Sequence, residues 1–157
     1  MDFLTPPEMR LTLRVLAKLL GYPSAELRAH LPDLREALAA ERALGSARRA
    51  ELEALIDNLA RTPALDVEAA YVELFDRGRS TSLHLFEHVH GDSRDRGPAM
   101  VDLAQTYEKA GLYLAPHELP DYLPVVLEYA STQPPREARA FLAEMVHILQ
   151  AIFSALQ

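Results

Sequence analysis

The chain has 157 residues, of which 49% are hydrophobic and none is cysteine, and its formal net charge is -7 at pH 7. This composition fits a packed globular domain, and the lack of thiols excludes disulfides, thiolate catalysis, iron–sulfur ligation and cysteine-based zinc sites. The negative charge argues against nucleic acid as a partner, and the absence of a run of about 18 uncharged apolar residues argues against insertion into a membrane.

The N-terminal segment predicts a capped helix. It carries acidic residues and two prolines where a signal peptide needs a basic start and an apolar core, so we expect a cytoplasmic protein. Thr5 is the predicted cap, with proline in the first turn. Apolar residues then continue to Leu20, and Gly21-Tyr22-Pro23 ends the helix.

Helical spacing dominates the rest of the chain, and strand alternation is nearly absent. Leucines at 27, 31, 34 and 38 predict a helical hairpin broken near Pro32, and the next helix is predicted over 46–59. Further helices are predicted from residue 66 and over 83–90, 98–111 and 119–131, with one long closing helix over 136–156. The sequence therefore predicts an all-α, single-domain bundle of about seven to eight helices over residues 1–157.

An acidic stretch runs from Glu51 to Asp76, with seven carboxylates and one arginine, Arg61. One interpretation is a solvated helix face. The alternative is an electrostatic attractor for a basic peptide, because complementary charge mainly raises the rate of association.

His84, Glu87 and His88 match the H-x-x-E-H pattern of inverted zinc peptidases. Histidines four residues apart share a helix face, and Glu87 would act as the base. No third ligand is evident and the predicted helix is only about two turns long, so a metal-dependent hydrolase is kept as an alternative. The six glycines form neither a dinucleotide fingerprint nor a phosphate loop, and no cofactor is expected.

Charge alternates from Asp92 to Gly97, just before a predicted helix. A solvated turn with local ion pairs explains this pattern. Two alternatives stay open, namely a polar rim around a peptide groove and the contact surface of an adaptor that binds a folded partner without such a groove.

Tyr71, Leu74 and Phe75 lie at i, i+3 and i+4 of a predicted helix, and Phe86 follows in a second apolar segment. Such a stripe is usually core. The alternative is the floor of a binding groove, because a helix-in-groove binder needs an apolar floor with charges at its edge. The segment 118–123 reads E-L-P-D-Y-L, where the acid in the first turn favours the positive end of a helix dipole.

These segments together resemble a known family. The run Y-V-E-L-F-D-R-G-R-S-T-S-L-H-L-F-E-H-V-H-G-D-S-R-D-R-G-P-A-M-V-D-L, followed by E-L-P-D-Y-L-P-V-V-L-E-Y, is similar to the nitrate reductase molybdenum cofactor assembly chaperones of the NarJ type. That group lies within the wider TorD/DmsD-like redox-enzyme maturation chaperones. The resemblance covers nearly the whole chain and is most specific from Tyr71 to Tyr129.

The resemblance implies an all-helical, cytoplasmic, non-catalytic chaperone. Its implied partner is the catalytic (alpha) subunit of nitrate reductase, held by its N-terminal peptide until the molybdenum cofactor is inserted. The family's Y-x-x-L-F motif falls on Tyr71, Leu74 and Phe75. Its E-x-P-D-H motif falls on Glu118, Pro120, Asp121 and Tyr122, where tyrosine replaces the histidine. Nucleotide binding is therefore not carried over from relatives that have the histidine.

The residue pattern and the family resemblance together give the predicted peptide site. Its members are Tyr71, Leu74, Phe75, Phe86, Pro120, Asp121 and Tyr122, with Glu73, Asp76, Glu87 and Glu118 as charge partners. No catalytic residue and no metal ligand is expected. Because leader-like peptides are amphipathic and basic, carboxylates should attract them while apolar pockets hold them.

Overall fold

A computed structural model describes residues 7–157, so the predicted cap Thr5 lies outside the described residues. This part of the chain contains ten α-helices: α1 (Arg10–Leu20), α2 (Ala25–Ala29), α3 (Leu31–Ala39), α4 (Ser46–Arg61), α5 (Ala64–Phe75), α6 (Phe86–Val89), α7 (Arg96–Lys109), α8 (Leu123–Ser131), α9 (Pro135–Ala143) and α10 (Val146–Ala155). A 3-10 turn over Arg79–Thr81 precedes α6. Eight of the ten helices have nine or more residues, so the prediction of an all-α bundle with seven to eight helices is confirmed.

Helix α8 lies at the centre of the hydrophobic core. Its Val126 and Ala130 are fully buried, and it packs along α1. The core cluster also draws on α1, on the segment before α6 and on the last two helices, through Leu13, Ala17, Leu83, Leu85, Ala138, Ile148 and Ile152. Burying a side chain of Val, Leu or Ile size contributes about 1.5–3 kcal/mol, so the α1–α8 pair anchors the fold.

A buried carboxylate caps the first helix. Glu41 accepts the backbone N–H groups of Leu11 and Thr12 at 2.9 and 2.7 Å, and also the Thr12 hydroxyl at 2.8 Å. The first N–H groups of a helix have no partner within the helix, and a negative charge is favourable there. The start of α1 is thus fixed by a residue about 30 positions further along the chain, which sequence reasoning did not identify.

The predicted hairpin over residues 25–39 has the expected break, at His30 between α2 and α3. Ser24 caps α2 by accepting the N–H of Leu27 at 3.2 Å. Pro32 lies in the first turn of α3, where its missing N–H costs nothing.

Two predicted helix boundaries near the candidate site are wrong. Only Phe86–Val89 of the predicted 83–90 helix is helical, and α8 begins at Leu123 rather than at residue 119. His84 and Tyr122 form an isolated antiparallel bridge with turns beside it, so neither lies in a helix. Pro124 lies in the first turn of α8, where its missing N–H prevents the helix from extending back towards residue 119.

The single closing helix predicted over 136–156 is also wrong. It is divided into α9 and α10, whose axes are bent by 61° at a short break. The break allows Ala138 of α9 and Ile148 of α10 to reach the same core. No single helix of the described chain is long and apolar enough to cross a membrane; α9 and α10 meet those criteria only as a bent pair.

Candidate functional site

A short antiparallel pairing joins the segment before α6 to the segment before α8. Leu123 donates its N–H to the carbonyl of Leu83 at 2.8 Å, and Leu85 donates to the carbonyl of Asp121 at 3.1 Å. His84 and Tyr122 are the opposed residues. Opposed side chains in such a pair lie on the same face, and these two rings are stacked with centroids 4.9 Å apart.

Asp121 is fully buried behind this pairing. Its Oδ2 accepts the N–H of Phe86 at 3.0 Å and so satisfies the first residue of α6. Its Oδ1 faces Nδ1 of His84 at 3.8 Å, just beyond hydrogen-bonding distance, and neither atom has another hydrogen-bond partner among the described residues. The Asp121 carboxylate beside His84 raises the pKa of His84 despite the opposing effect of burial.

Tyr107 of α7 supports the same segment from the interior. Its hydroxyl donates to the carbonyl of Pro120 at 2.7 Å, and the side chain is 2% exposed. Burial raises the pKa of Tyr107, so the hydroxyl remains a neutral donor. The backbone at 120–123 is therefore held by α7 on one side and by the 83–85 segment on the other.

Tyr71 joins three parts of the chain. Its hydroxyl donates to the carbonyl of Leu20 at the end of α1, at 2.7 Å, and lies 3.2 Å from the hydroxyl of Tyr122. Because a tyrosine has one O–H to donate, Tyr122 is the donor to Tyr71. The ring packs against Phe75 and, edge-on, against Tyr22, with centroids 4.9 and 5.7 Å apart. Burial raises the pKa of Tyr71 well above its ordinary value.

These rings border an open cavity of about 470 Å³ between α5, the 83–84 segment and the start of α8, which we call the aromatic groove. Its lining consists of Tyr22, Tyr71, Phe75, Asp76, Leu83, His84, His117, Glu118, Leu119, Tyr122, Pro124, Val125 and Glu128. The described lining thus has three carboxylates, two histidines and neither arginine nor lysine. It is an apolar and aromatic surface with a negative edge.

Five of the residues predicted for the peptide site line this groove together. Tyr71, Phe75 and Tyr122 supply aromatic surface, while Asp76 and Glu118 supply carboxylates. Residues more than 40 positions apart in the sequence are thereby brought to one cavity. Whether they contact a peptide stays a prediction.

Three other predicted residues support the groove without lining it. Pro120 and Asp121 are buried, and their polar groups are used inside the protein as described above. Phe86 lies half-buried at the start of α6 and packs edge-on against His90, with centroids 5.4 Å apart. A direct peptide contact for these residues is a prediction that their placement does not favour.

The remaining three predicted residues also lie outside the lining. Leu74 is 44% exposed on α5. Glu73 forms an ion pair with Arg77 at 3.0 Å, and Glu87 faces Arg96 at 4.0 Å. Both carboxylates therefore have a cationic neighbour within the protein.

The structure separates the H-x-x-E-H residues. His84 is in the extended pairing whereas His88 is in α6, where its Nε2 lies 2.8 Å from the carbonyl of Ser82. The shared helix face required for a zinc pair is therefore absent from this segment. Across residues 7–157, no group of three or more His, Cys, Asp or Glu side chains is arranged to hold a metal ion.

The charged turn from Asp92 to Gly97 is stabilised locally. Asp92 lies 3.7 Å from Arg79, and the Ser93 hydroxyl accepts the N–H of Asp95 at 3.2 Å. None of its residues lines the aromatic groove. These contacts fit the interpretation of a solvated turn.

Sequence reasoning missed several lining residues, of which Tyr22 and Glu128 matter most. Tyr22 was interpreted only as part of a helix stop, yet its ring packs on Tyr71. Glu128 lies in α8, four residues after Pro124, and residues with this spacing share a helix face. Applying this spacing to α8 would have placed the carboxylate beside Pro124.

Comparison with known proteins agrees with the fold and the sequence pattern. The chain is 47% identical over 145 residues to the nitrate reductase molybdenum cofactor assembly chaperone NarJ of Escherichia coli (strain K12), covering 92% of this chain and 61% of that protein. It is 32% identical over 150 residues to the NarJ protein of Bacillus subtilis (strain 168), covering 96% and 80%. This chain therefore spans about three fifths of the length of its Escherichia coli relative.

The backbone resembles a crystal structure from Archaeoglobus fulgidus assigned as a redox enzyme maturation protein. The TM-score is 0.60 at 22% identity, over 90% of this chain and 82% of that one, which supports the fold alone. The family described as nitrate reductase delta subunit matches residues 20–157. With most of the chain inside that match and the NarJ relatives covering nearly all of it, this protein belongs to the nitrate reductase delta subunit family.

Proposed function

We propose that this protein is an assembly chaperone for nitrate reductase. In this proposal, it binds the N-terminal segment of the catalytic subunit as a helix in the aromatic groove and keeps the subunit competent for insertion of the molybdenum cofactor. The names of its NarJ relatives support the role. The groove supplies the proposed place of binding.

The main support is the combination of apolar surface and negative charge in one cavity. Helix-in-groove recognition places the apolar face of a client helix on an apolar floor. Tyr71, Phe75 and Tyr122 provide such a floor. A volume of about 470 Å³ accommodates a few client side chains, so the helix would lie over the groove with its anchors inserted.

The charges of the groove select the kind of client. Asp76, Glu118 and Glu128 border the cavity without a lining arginine or lysine. Complementary potentials steer a basic partner and disfavour an acidic one. An amphipathic segment with basic residues therefore fits the groove better than a neutral or acidic segment does.

A calorimetric titration tests the proposal. A synthetic peptide with the N-terminal sequence of the cognate nitrate reductase catalytic subunit should bind the protein with one-to-one stoichiometry, whereas a scrambled peptide of equal composition should not. Binding of an apolar face should also give a negative heat-capacity change. Equal binding of both peptides, or binding of neither, would contradict the proposal.

Two related expectations belong to the same proposal. We place the protein in the cytoplasm, where an unfinished catalytic subunit would be available to it, and we assign it no catalytic activity. Fractionation of native cells tests the location. Retention of the unfinished subunit on the tagged protein, and its release once cofactor has been supplied, tests the assembly role.

A further inference from the structure

The aromatic groove is one of three cavities that meet at Glu128. A cavity of about 640 Å³ lies between α8 and the α1–α3 region, with Tyr22 and Leu27 in its wall. A third, of about 410 Å³, lies between α8 and the end of α7, with Tyr113 and Tyr129 in its wall. Glu128 lines all three.

The two faces of helix α8 explain why the three cavities meet at Glu128. Its buried side, with Val126 and Ala130, faces the core. Pro124 and Val125 lie four and three residues before Glu128, so all three project from the opposite side. Pro124 lines the aromatic groove and the cavity beside α1, while Val125 lines the groove and the cavity beside α7. The three cavities thus form one branched surface over the outer face of α8.

The Glu128 carboxylate is available at this junction. Its side chain is exposed, and within residues 7–157 no cationic nitrogen lies within the 4.0 Å of an ion pair. Arg14 lines two of the same cavities and Lys18 lines one of them, but neither cation lies within ion-pair distance of Glu128, and the Nε–H of Arg14 donates to the hydroxyl of Ser131 at 3.3 Å. Glu118, the neighbouring carboxylate, already accepts the N–H of Ala115 at 2.8 Å.

We propose that Glu128 is a specificity-determining residue that pairs with one lysine or arginine of the client segment. The inference rests on the proposed function, since it requires a basic amphipathic helix over the groove. The cation would lie three or four residues from an apolar anchor, so that both point to the same side of the client helix. Pairing at a junction of three cavities then fixes which turn of the client enters the aromatic groove.

Charge exchange tests this pairing. The protein variants are Glu128→Gln and Glu128→Lys, and each lysine or arginine of the client peptide is changed to glutamate in turn. Glu128→Gln should weaken binding of the natural peptide by about twofold to fivefold, as expected for one exposed ion pair. Glu128→Lys should weaken it further and regain about tenfold in affinity for only one of the charge-reversed peptides.

Glu144→Gln is the matched control, because Glu144 is exposed at the end of α9 and lines none of the three cavities. It should bind the natural peptide like the wild type. Circular dichroism and thermal melting verify that each variant is folded. If Glu128→Lys does not fold, Glu128→Gln measured against the same peptide series still detects the pair, because the critical peptide charge then loses its effect.

The outcomes separate the two proposals. A wild-type protein that does not bind the natural peptide overturns both the proposed function and this inference. Peptide binding that is unchanged by Glu128→Gln, or restored by no charge-reversed peptide, overturns the Glu128 inference alone. An equal loss in Glu144→Gln would indicate a general effect of net charge and would also overturn the specific pairing.

Discussion

The hydroxyl oxygens of Tyr71 and Tyr122 lie 3.2 Å apart, although the two residues are 51 positions apart in the sequence. Tyr71 also donates to the carbonyl of Leu20 at 2.7 Å. One phenol therefore links α5, the end of α1 and the segment before α8. The aromatic side of the groove is held by these hydrogen bonds as well as by ring packing.

Tyr71→Phe should destabilise the protein while keeping the shape of the groove. The ring remains, but the carbonyl of Leu20 loses its side-chain donor and Tyr122 loses an acceptor. We expect a loss of about 1–2 kcal/mol in the free energy of unfolding, measured by chemical denaturation. Tyr113→Phe is the control, because Tyr113 is 78% exposed, and it should leave stability unchanged. Equal stability of both variants would show that the Tyr71 bonds contribute little.

Phe75→Ala should weaken peptide binding by about 2 kcal/mol or more, because truncating an aromatic anchor in a binding pocket removes most of its contact surface. Helical content measured by circular dichroism should survive, since Phe75 is only partly buried. Phe153→Ala, at a residue of α10 that is 63% exposed, should retain the wild-type affinity. Unchanged affinity in Phe75→Ala would refute its role in the groove floor, and loss of the fold would show that Phe75 is a core residue.

Asp121→Ala should reduce stability far more than an exposed acid-to-alanine change. The substitution leaves the N–H of Phe86 without its acceptor. It also removes the buried carboxylate that is the charged neighbour of His84. A loss of about 2–3 kcal/mol is expected on thermal or chemical unfolding. Asp102→Ala, on the exposed surface of α7, is the comparison and should change stability by less than about 0.5 kcal/mol. A similar small change in both variants would argue against the capping role of Asp121.

Titration of His84 should lower the free energy of unfolding as pH rises. Asp121 raises the pKa of His84 above its ordinary value near 6.5, with a smaller raising effect from Glu87 and a lowering effect from Arg96. The folded state therefore binds the proton more tightly than the unfolded state does. The stabilisation is fully present below pH 6.5 and is lost as pH rises through the raised pKa of the folded protein.

The measurement compares wild type with His84→Gln by denaturation from about pH 5.5 to about pH 8.5. The stability advantage of the wild type should shrink across this range. An NMR titration of His84 should give a midpoint above 6.5, and Asp121→Asn should lower that midpoint. A constant stability difference at all pH values would contradict the His84–Asp121 coupling.

Much of the helical register follows from the sequence, because apolar spacing directly reflects which face of a helix is buried. In α7 the apolar spacing places Leu103 and Tyr107 on one face, four residues apart, and both are buried. In α4 the same spacing groups Leu55 with Ile56, yet Ile56 is buried whereas Leu55 is 42% exposed. The rule is most reliable for helices at the centre of the fold.

Features that depend on contacts between distant segments were not predictable in this way. The extended pairing of His84 with Tyr122 and the bend between α9 and α10 arise from packing, and no proline or glycine in residues 83–85 or 143–146 signals them. The carboxylate of Asp121 was predicted as part of a binding surface, yet it is fully buried. Local pattern cannot distinguish an acid that caps its own helix from one that caps another element.

The two sides of the aromatic groove are secured to different degrees. On one side, backbone hydrogen bonds join 83–85 to 121–123 and Tyr107 supports Pro120, so this wall is stiff. On the other side, Val67 is the buried residue of α5. Tyr71 nevertheless ties α5 to the end of α1 through Leu20 and to the opposing wall through Tyr122, so any widening of the opening would have to stretch these two hydrogen bonds.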